Sequence, residues 1–247
     1  MIIVNGIMNQ IPEFFRDIIV EGGKIILIEK YDHIAKIVKY IKHNEKLFRD
    51  ELSNVDADEP ISYADNVESD KLEVLKLKDD DHYIGNTKAK VTIITYSSLS
   101  CPGCAYFHEN LLPKIKKEYI DSGKLLFIFR DYPNNEPALY GATLANCFEN
   151  SYFELIDILF KSQIKWAFRK DFKKMLKNIG RLSGFSAEKI SKCFEDKSFS
   201  DQLQMKAFKD MKTLNLNQTP TIYINQEFII ANNYDDYVKI IDKYLNK

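Results

Sequence analysis

Apolar residues near the start of the chain recur at helical spacing. Between 33 and 52, Ile34, Ile37, Val38, Ile41 and Phe48 share one face of such a repeat while lysines take the other, which predicts an amphipathic helix. Upstream, 11–20 fits a short helix, Gly22-Gly23 interrupts it, and 24–29 fits a strand. Asp56-Ala57-Asp58-Glu59-Pro60 reads as an acidic loop, and 62–70 as a polar linker. An amphipathic helix with no partner of its own must bury its apolar face on the main domain or on copies of itself. Residues 1–65 are therefore expected to form an N-terminal α-helical extension that acts as an oligomerisation segment, ahead of a main domain over 66–247.

Past the linker the period shortens. Residues 72–77 alternate as a short strand, and 91–96 are β-branched and aromatic, as in a central strand. A helix over 105–120 and a buried strand over 125–129 would complete a right-handed βαβ unit. From 137 to about 216 the pattern is helical. Helices are expected near 138–150, 153–163, 171–179, 187–195 and 201–214, punctuated by Gly180, Gly184 and Ser186. Strand character returns at 221–224 and 227–230 around an Asn225-Gln226 hairpin turn, and a helix over 235–245 closes the chain. This order predicts an α/β fold with an inserted helical block.

Composition narrows the function. Hydrophobic residues make up 45% and charged residues 29% of the 247, a soluble globular profile. The 35 basic and 36 acidic side chains leave a formal charge of −1, so neither nucleic acid nor an anionic membrane is expected as a partner. No apolar run approaches the ~18 residues of a bilayer span. Residues 1–8 carry no positive charge, and Asn5 and Asn9 interrupt the apolar positions, so no signal peptide is read there. The protein is expected either to stay in the cytoplasm or to be a processed form whose leader has been removed. Its cysteines, Cys101, Cys104, Cys147 and Cys193, are too few for a disulfide-stapled scaffold and suggest one reactive pair and at most one structural pair.

The reactive pair is Cys101-Pro102-Gly103-Cys104, set between a predicted strand and a predicted helix. Disulfide exchange needs a thiolate that attacks and a second thiol that resolves the mixed disulfide. At a helix N-terminus, unpaired N–H groups and the positive end of the dipole would stabilise a Cys101 thiolate. Pro102 suits the first helical position, and Cys104, one turn deeper, would resolve. A zinc site sharing His108 is the rival reading. A structural zinc wants four ligands, and no second CxxC or HxxxH exists, so no metal is expected and His108 is read as a half-exposed helix residue. Near the C-terminus, Pro220 stands before a strand. A cis bond there would leave the Thr219 backbone free to pair with an extended substrate.

Three segments together resemble the DsbA-like branch of the thioredoxin superfamily. They are Tyr96-Ser97-Ser98-Leu99-Ser100-Cys101-Pro102-Gly103-Cys104, Tyr106-Phe107-His108, and Thr219-Pro220-Thr221-Ile222-Tyr223-Ile224-Asn225. The similarity runs from about 71 to the C-terminus, with 137–216 in the place of the family's helical insertion. It implies a thioredoxin fold, Cys101 as nucleophile, Cys104 as resolving cysteine and a cis bond before Pro220, with Pro102, Gly103 and Thr219 beside them. It also implies a bacterial, periplasmic location with the leader absent from this sequence, and it calls for no cofactor. Cys147 and Cys193 match positions that pair in some members. Read alone they are equally well inert core residues; the resemblance favours a structural disulfide and an oxidising compartment.

Two departures matter. Strongly oxidising members carry His where Gly103 stands, so Cys101 is expected to be less acidic, moving from ~3.5 toward ~7. Many members also hold a buried Glu where Thr95 stands, which puts the family's proton-transfer partner for Cys104 in doubt.

In length and position, 1–65 resembles the N-terminal stalk of trimeric ScsC-type relatives. The expectation is therefore a homo-oligomer, a trimer by preference, that isomerises disulfides in cysteine-containing protein substrates and is reset by a redox partner protein. A monomeric dithiol oxidase is the alternative. A redox-inactive or metal-binding module on a thioredoxin scaffold is a third reading. For that module the only other ligand-like run, Asp79-Asp80-Asp81-His82, reads as a solvated turn.

Overall fold

The structure is a computed structural model that describes the backbone of four N-terminal strands and, with side chains, residues 70–231 and 233–246. The chain divides into two compact units, Met1–Asp65 and Asn66–Lys247.

In the first unit β1 (Ile2–Met8), β2 (Lys24–Tyr31), β3 (Ile34–His43) and β4 (Lys46–Asp56) form one sheet in that order. The expected amphipathic helix over 33–52, and with it the α-helical extension, is corrected to strands: β3 pairs antiparallel with both β2 and β4. Ile34, Ile37, Val38 and Ile41 are all β-branched, which favours extended backbone over helix. The register irregularity opposite Ile37 and Val38 comes from an extra residue on β4, Leu52, while β3 pairs with β2 without a break. The helix expected over 11–20 lies outside the described residues.

The second unit opens with a helical turn at 70–74, where a strand was expected over 72–77. The Leu75 N–H donates to the Lys71 carbonyl at 3.1 Å. Leu, Lys and Glu are better helix formers than strand formers, and Val74 is the only β-branched residue there. The first strand of this unit is instead β5 (His82–Gly85).

A five-stranded sheet follows, ordered β5-β7-β6-β8-β9, with β6 (Val91–Ser97) at its centre. β6 pairs parallel with β7 (Leu125–Asp131) and antiparallel with β8 (Thr221–Ile224), which turns back through Asn225 and Gln226 into β9 (Glu227–Ile229). Both turn residues have positive φ, 46° and 72°, as a two-residue hairpin of this hand requires. The central strands are mostly apolar and almost wholly buried because both faces are covered. Val91, Ile93, Leu125, Phe127, Ile222 and Ile224 join one core, while Ile94, Tyr96, Leu126, Ile128 and Tyr223 pack with Leu75, Leu214 and Leu216 in a second.

Between β6 and β7 runs a helical stretch over 102–120, here α1, in which α-helical turns alternate with wider π turns at Phe107–Leu111 and Lys116–Ile120. Pro113 lies just past the first wide turn, where a missing N–H and a ring clash disfavour regular α geometry. The insertion comprises α2 (Glu136–Asn146), α3 (Tyr152–Lys161), α4 (Gln163–Trp166), α5 (Phe172–Leu182), α6 (Ala187–Glu195) and α7 (Lys197–Leu214). α8 (Tyr234–Leu245) ends the fold. A disulfide joins Cys147, just past α2, to Cys193 on α6, with a Cα–Cα distance of 6.2 Å. No helix among the described residues is long and apolar enough to cross a membrane.

Candidate active site

Strand β6 delivers the cysteines. Past Ser97 the chain turns back on itself, the Cys101 N–H meeting the Ser98 carbonyl at 3.0 Å. Cys101 is the N-cap of α1, with φ −89° and ψ 120°, and Pro102 follows in the first helical turn. Both thiols are free; Cys101 is half-buried and Cys104 buried.

First-turn amides have no intrahelical acceptor, so the N–H groups of Cys104 and Gly103 turn to the Cys101 sulfur. The Cys104 thiol also donates to it, and this is the main reason the Cys101 pKa falls to about 5. Burial opposes the shift, while Thr219 and the two amides reinforce it. The value lies between the ~3.5 of the strongest oxidants and the ~7 of thioredoxin, the direction expected with Gly at 103. Burial first, and then the interaction with Cys101, push the Cys104 thiol far up. The Ser97 hydroxyl and the Ser98 N–H, the latter 3.4 Å from Cys104 Sγ, only partly counter this. One thiol is thus ionised at neutral pH and the other keeps its proton.

Opposite the pair stands the loop before β8. The Thr219–Pro220 bond is cis, and Cys101 Sγ donates to the Thr219 carbonyl at 3.2 Å. The Thr221 hydroxyl closes the loop on the Gln218 carbonyl at 2.7 Å. The two halves meet because Tyr96 and Thr221 are partners in the β6–β8 register. Gly103 faces Pro220: a Cβ built on it would sit 3.4 Å from Pro220 Cδ and 3.8 Å from Cys101 Sγ. The structure therefore brings Cys101, Pro102, Gly103, Cys104, Thr219 and Pro220 together, and leaves Cys147 and Cys193 in their own bond.

Several supporting residues escaped the sequence reading. The Ser98 hydroxyl donates to Asn134 Oδ1 at 2.7 Å, and Asn135 Nδ2 donates to Ser100 Oγ at 2.8 Å. Asn135 also caps α2 by accepting from the Ala138 N–H at 2.9 Å; Asn followed by Glu136-Pro137 is a helix-start signal that was available. Gln163 Nε2 donates to the carbonyls of Leu99 (2.8 Å) and Cys101 (3.1 Å), for which no local signal exists.

Two expectations are revised. His108 is buried rather than half-exposed, its Nε2 on Asp157 and its ring against Phe160 and Phe129. That contact holds the Asp157 carboxyl below its ordinary range. The Asp79–His82 run is not simply a solvated turn. Asp81 is buried on Arg130, and His82 in β5 stacks on Tyr152 and meets Asn146 Oδ1 at 2.8 Å. As expected, Thr95 offers no carboxylate to Cys104: it is fully buried with an unpartnered Oγ1, beside Phe129 in the register, and β6 carries no Asp or Glu. Among the described residues, no group of three or more His, Cys, Asp and Glu could hold a metal.

Comparison with known proteins places this geometry. A family profile described as thioredoxin matches residues 77–243. A Rickettsia prowazekii protein named as a protein-disulfide oxidoreductase is 31% identical over 175 residues, which cover 69% of this chain and 64% of that protein. The chain thus spans less than two thirds of the length of that relative. Disulfide bond formation protein D of Bacillus subtilis is 25% identical over 173 residues, 66% of this chain and 76% of the relative. Among solved structures, alpha-DsbA1 of Wolbachia pipientis is similar at 29% identity and a TM-score of 0.65, covering 71% of this chain and 96% of that one. Oxidised BdbD of Bacillus subtilis shares the fold at 22% identity and a TM-score of 0.62, over 68% of this chain and 94% of its own.

Proposed function

This chain belongs to the thioredoxin family, as a DsbA-like member, and from that premise we propose that it exchanges disulfides with cysteine-containing protein substrates, in the oxidising direction. The observation that carries the reading is the Cys101 sulfur held as a thiolate, with a pKa of about 5, at the start of α1 and facing the Thr219 carbonyl. A stabilised Cys101 thiolate favours the reduced enzyme over its disulfide and leaves readily from a mixed disulfide with substrate. A substrate thiolate attacks Cys101 Sγ of the oxidised pair, and the Cys101–Cys104 bond breaks with the electron pair going to Cys104, which takes up a proton. A second substrate thiolate then attacks the substrate sulfur of the mixed disulfide and expels Cys101. Two electrons pass from the substrate dithiol to the enzyme. A redox partner protein must remove them.

The Thr219 backbone beside the cis bond suits an extended substrate segment. The Cys147–Cys193 disulfide supports a periplasmic or other oxidising location, since such bonds persist there and are rare in reducing cytoplasm. Isomerisation is the second reading, because the same thiolate can attack a wrong substrate disulfide. Strands replace the helix face over 33–52 that favours self-association, so a trimer is supported only by the stalk-like length and position of 1–65, and isomerisation by the Cys101 chemistry.

The full chain is tested on two substrates, a dithiol peptide and a protein with scrambled disulfides. Rapid oxidation of the peptide with slow unscrambling supports the oxidase. Fast unscrambling assigns the isomerase. Inactivity on both, with both thiols free, overturns thiol exchange.

A further inference from the structure

A buried side chain of the insertion reaches the backbone of the active-site loop. Gln163 opens α4, and its amide nitrogen meets the carbonyl oxygens of Leu99 and Cys101 at 2.8 and 3.1 Å. A primary amide has two N–H donors, so it can serve both at once. Its base is rigid. Trp166, three positions on, is wholly buried and donates from Nε1 to the Leu159 carbonyl at 2.9 Å. A Cβ at Gly141 of α2 would lie 3.0 Å from Trp166 and 3.1 Å from Leu99, so α2, α4 and the catalytic loop are in close contact.

The Cys101 carbonyl is a sensitive place to hold. Its direction fixes ψ of Cys101, which at 120° is extended as an N-cap requires. With ψ at a helical value, the side chain would no longer lie over the amides of the first turn. The Cys101 carbonyl also accepts the Ala105 N–H at 3.1 Å, so the first helical bond and Gln163 share one oxygen. Without Gln163, the loop from Leu99 to Cys101 would lose its anchor on the insertion at both carbonyls.

We propose that Gln163 is a positioning residue for the nucleophile: by gripping the carbonyls of Leu99 and Cys101, it keeps the Cys101 sulfur over the first-turn amides of α1. This rests on the reading of Cys101 as the attacking thiol. The helical insertion thereby tunes the chemistry of the thioredoxin domain as well as covering it.

The test titrates the full-length reduced protein by thiolate absorbance at 240 nm and by alkylation rate against pH, with thermal melting in parallel. Gln163→Met keeps the length of the side chain and removes both donors. Gln163→Glu replaces them with acceptors facing carbonyl oxygens. The inference expects both variants to move the Cys101 midpoint upward by about one pH unit, a roughly tenfold loss of thiolate below the midpoint. Ile190→Val, a core change on α6, should lower the melting temperature and leave the titration alone. A midpoint unchanged in a folded Gln163 variant overturns the inference, whatever its melting temperature. If one variant does not fold, the other decides; if neither folds, Gln163 is a structural residue and the inference is also overturned. A parent protein with no thiol titrating below pH 7 overturns the reading of Cys101 instead.

Discussion

The sulfur of Cys101 lies 3.2 Å from the carbonyl oxygen of Thr219, 118 positions further along the chain. In the thiol form this is a hydrogen bond from Sγ; in the thiolate form the sulfur cannot donate. The ionised state therefore depends on other donors, above all the Cys104 thiol, followed by the Thr219 side chain and the amides of Cys104 and Gly103.

Removing the Cys104 thiol should show this directly. Cys104→Ala is expected to raise the Cys101 pKa from about 5 part of the way to the ordinary ~8.5, because the amides and Thr219 remain. The same variant should accumulate a mixed disulfide with its substrate, since nothing resolves it. Thiolate absorbance and non-reducing gels check the two outcomes. An unshifted titration would mean that Cys104 is not the main donor.

The shift also sets how the stability of the reduced protein responds to pH. Folding lowers the Cys101 pKa, so between about 5 and the ordinary ~8.5 the unfolded chain binds more protons than the folded one. The reduced protein should gain stability as pH rises through that window, and lose the contribution as pH falls through about 5. With Cys101 and Cys104 bonded, the group does not titrate. Urea melts of both redox forms from about pH 4 to about pH 8, below the point where the raised Cys104 thiol begins to work the other way, should show the stability difference, reduced minus oxidised, widening as pH rises. A constant difference would be the contrary result.

How legible each part was depends on where its information lies. The CxxC after β6, the terminal β-β-α and the helical block were readable because each is written in a contiguous run. Residues 34–52 misled because Ile34, Ile37, Val38 and Ile41 satisfy a helical period and are also β-branched. Periodicity over so short an apolar run cannot choose between the two. Asp81 looked like part of a solvated acidic turn because its partners, Arg130 and Lys206, are distant in sequence and only the tertiary fold makes it internal. Gln163 was invisible for the same reason: its partners are backbone carbonyls 62 and 64 positions away.

The Arg130 cluster gives a stability prediction independent of the active site. Its guanidinium meets Asp81 at 2.7 and 2.8 Å, the Tyr96 hydroxyl at 2.7 Å, and the carbonyls of Val74 and Lys76, with Arg130, Asp81 and Tyr96 themselves buried. Asp210, 3.5 Å away, is shared with Lys78. Arg130→Met would leave Asp81 buried without its main cation, and breaking such a pair destabilises by about 3–5 kcal/mol. Urea denaturation should show that loss, while Cys101 in the folded fraction titrates as before. A loss below about 1 kcal/mol, the value of an exposed pair, would mean that water reaches the cluster.

Gly103 is where the chemistry of the pair can be altered with least disturbance. Its φ is not in the left-handed region, and a Cβ there meets Pro220 and Cys101 Sγ only at ordinary contact distances. Gly103→His should therefore fold and place an imidazole in the second position between the cysteines. A cationic or hydrogen-bonding neighbour favours the thiolate, so the Cys101 pKa should fall from about 5 toward ~3.5. A more stable thiolate stabilises the reduced form, which moves the potential of the pair toward the oxidising end near about −120 mV. Equilibration against glutathione would measure that movement. If the potential stays put while the pKa falls, the oxidised form has gained as much as the reduced one, and thiolate stabilisation is not what sets the oxidising power of this site.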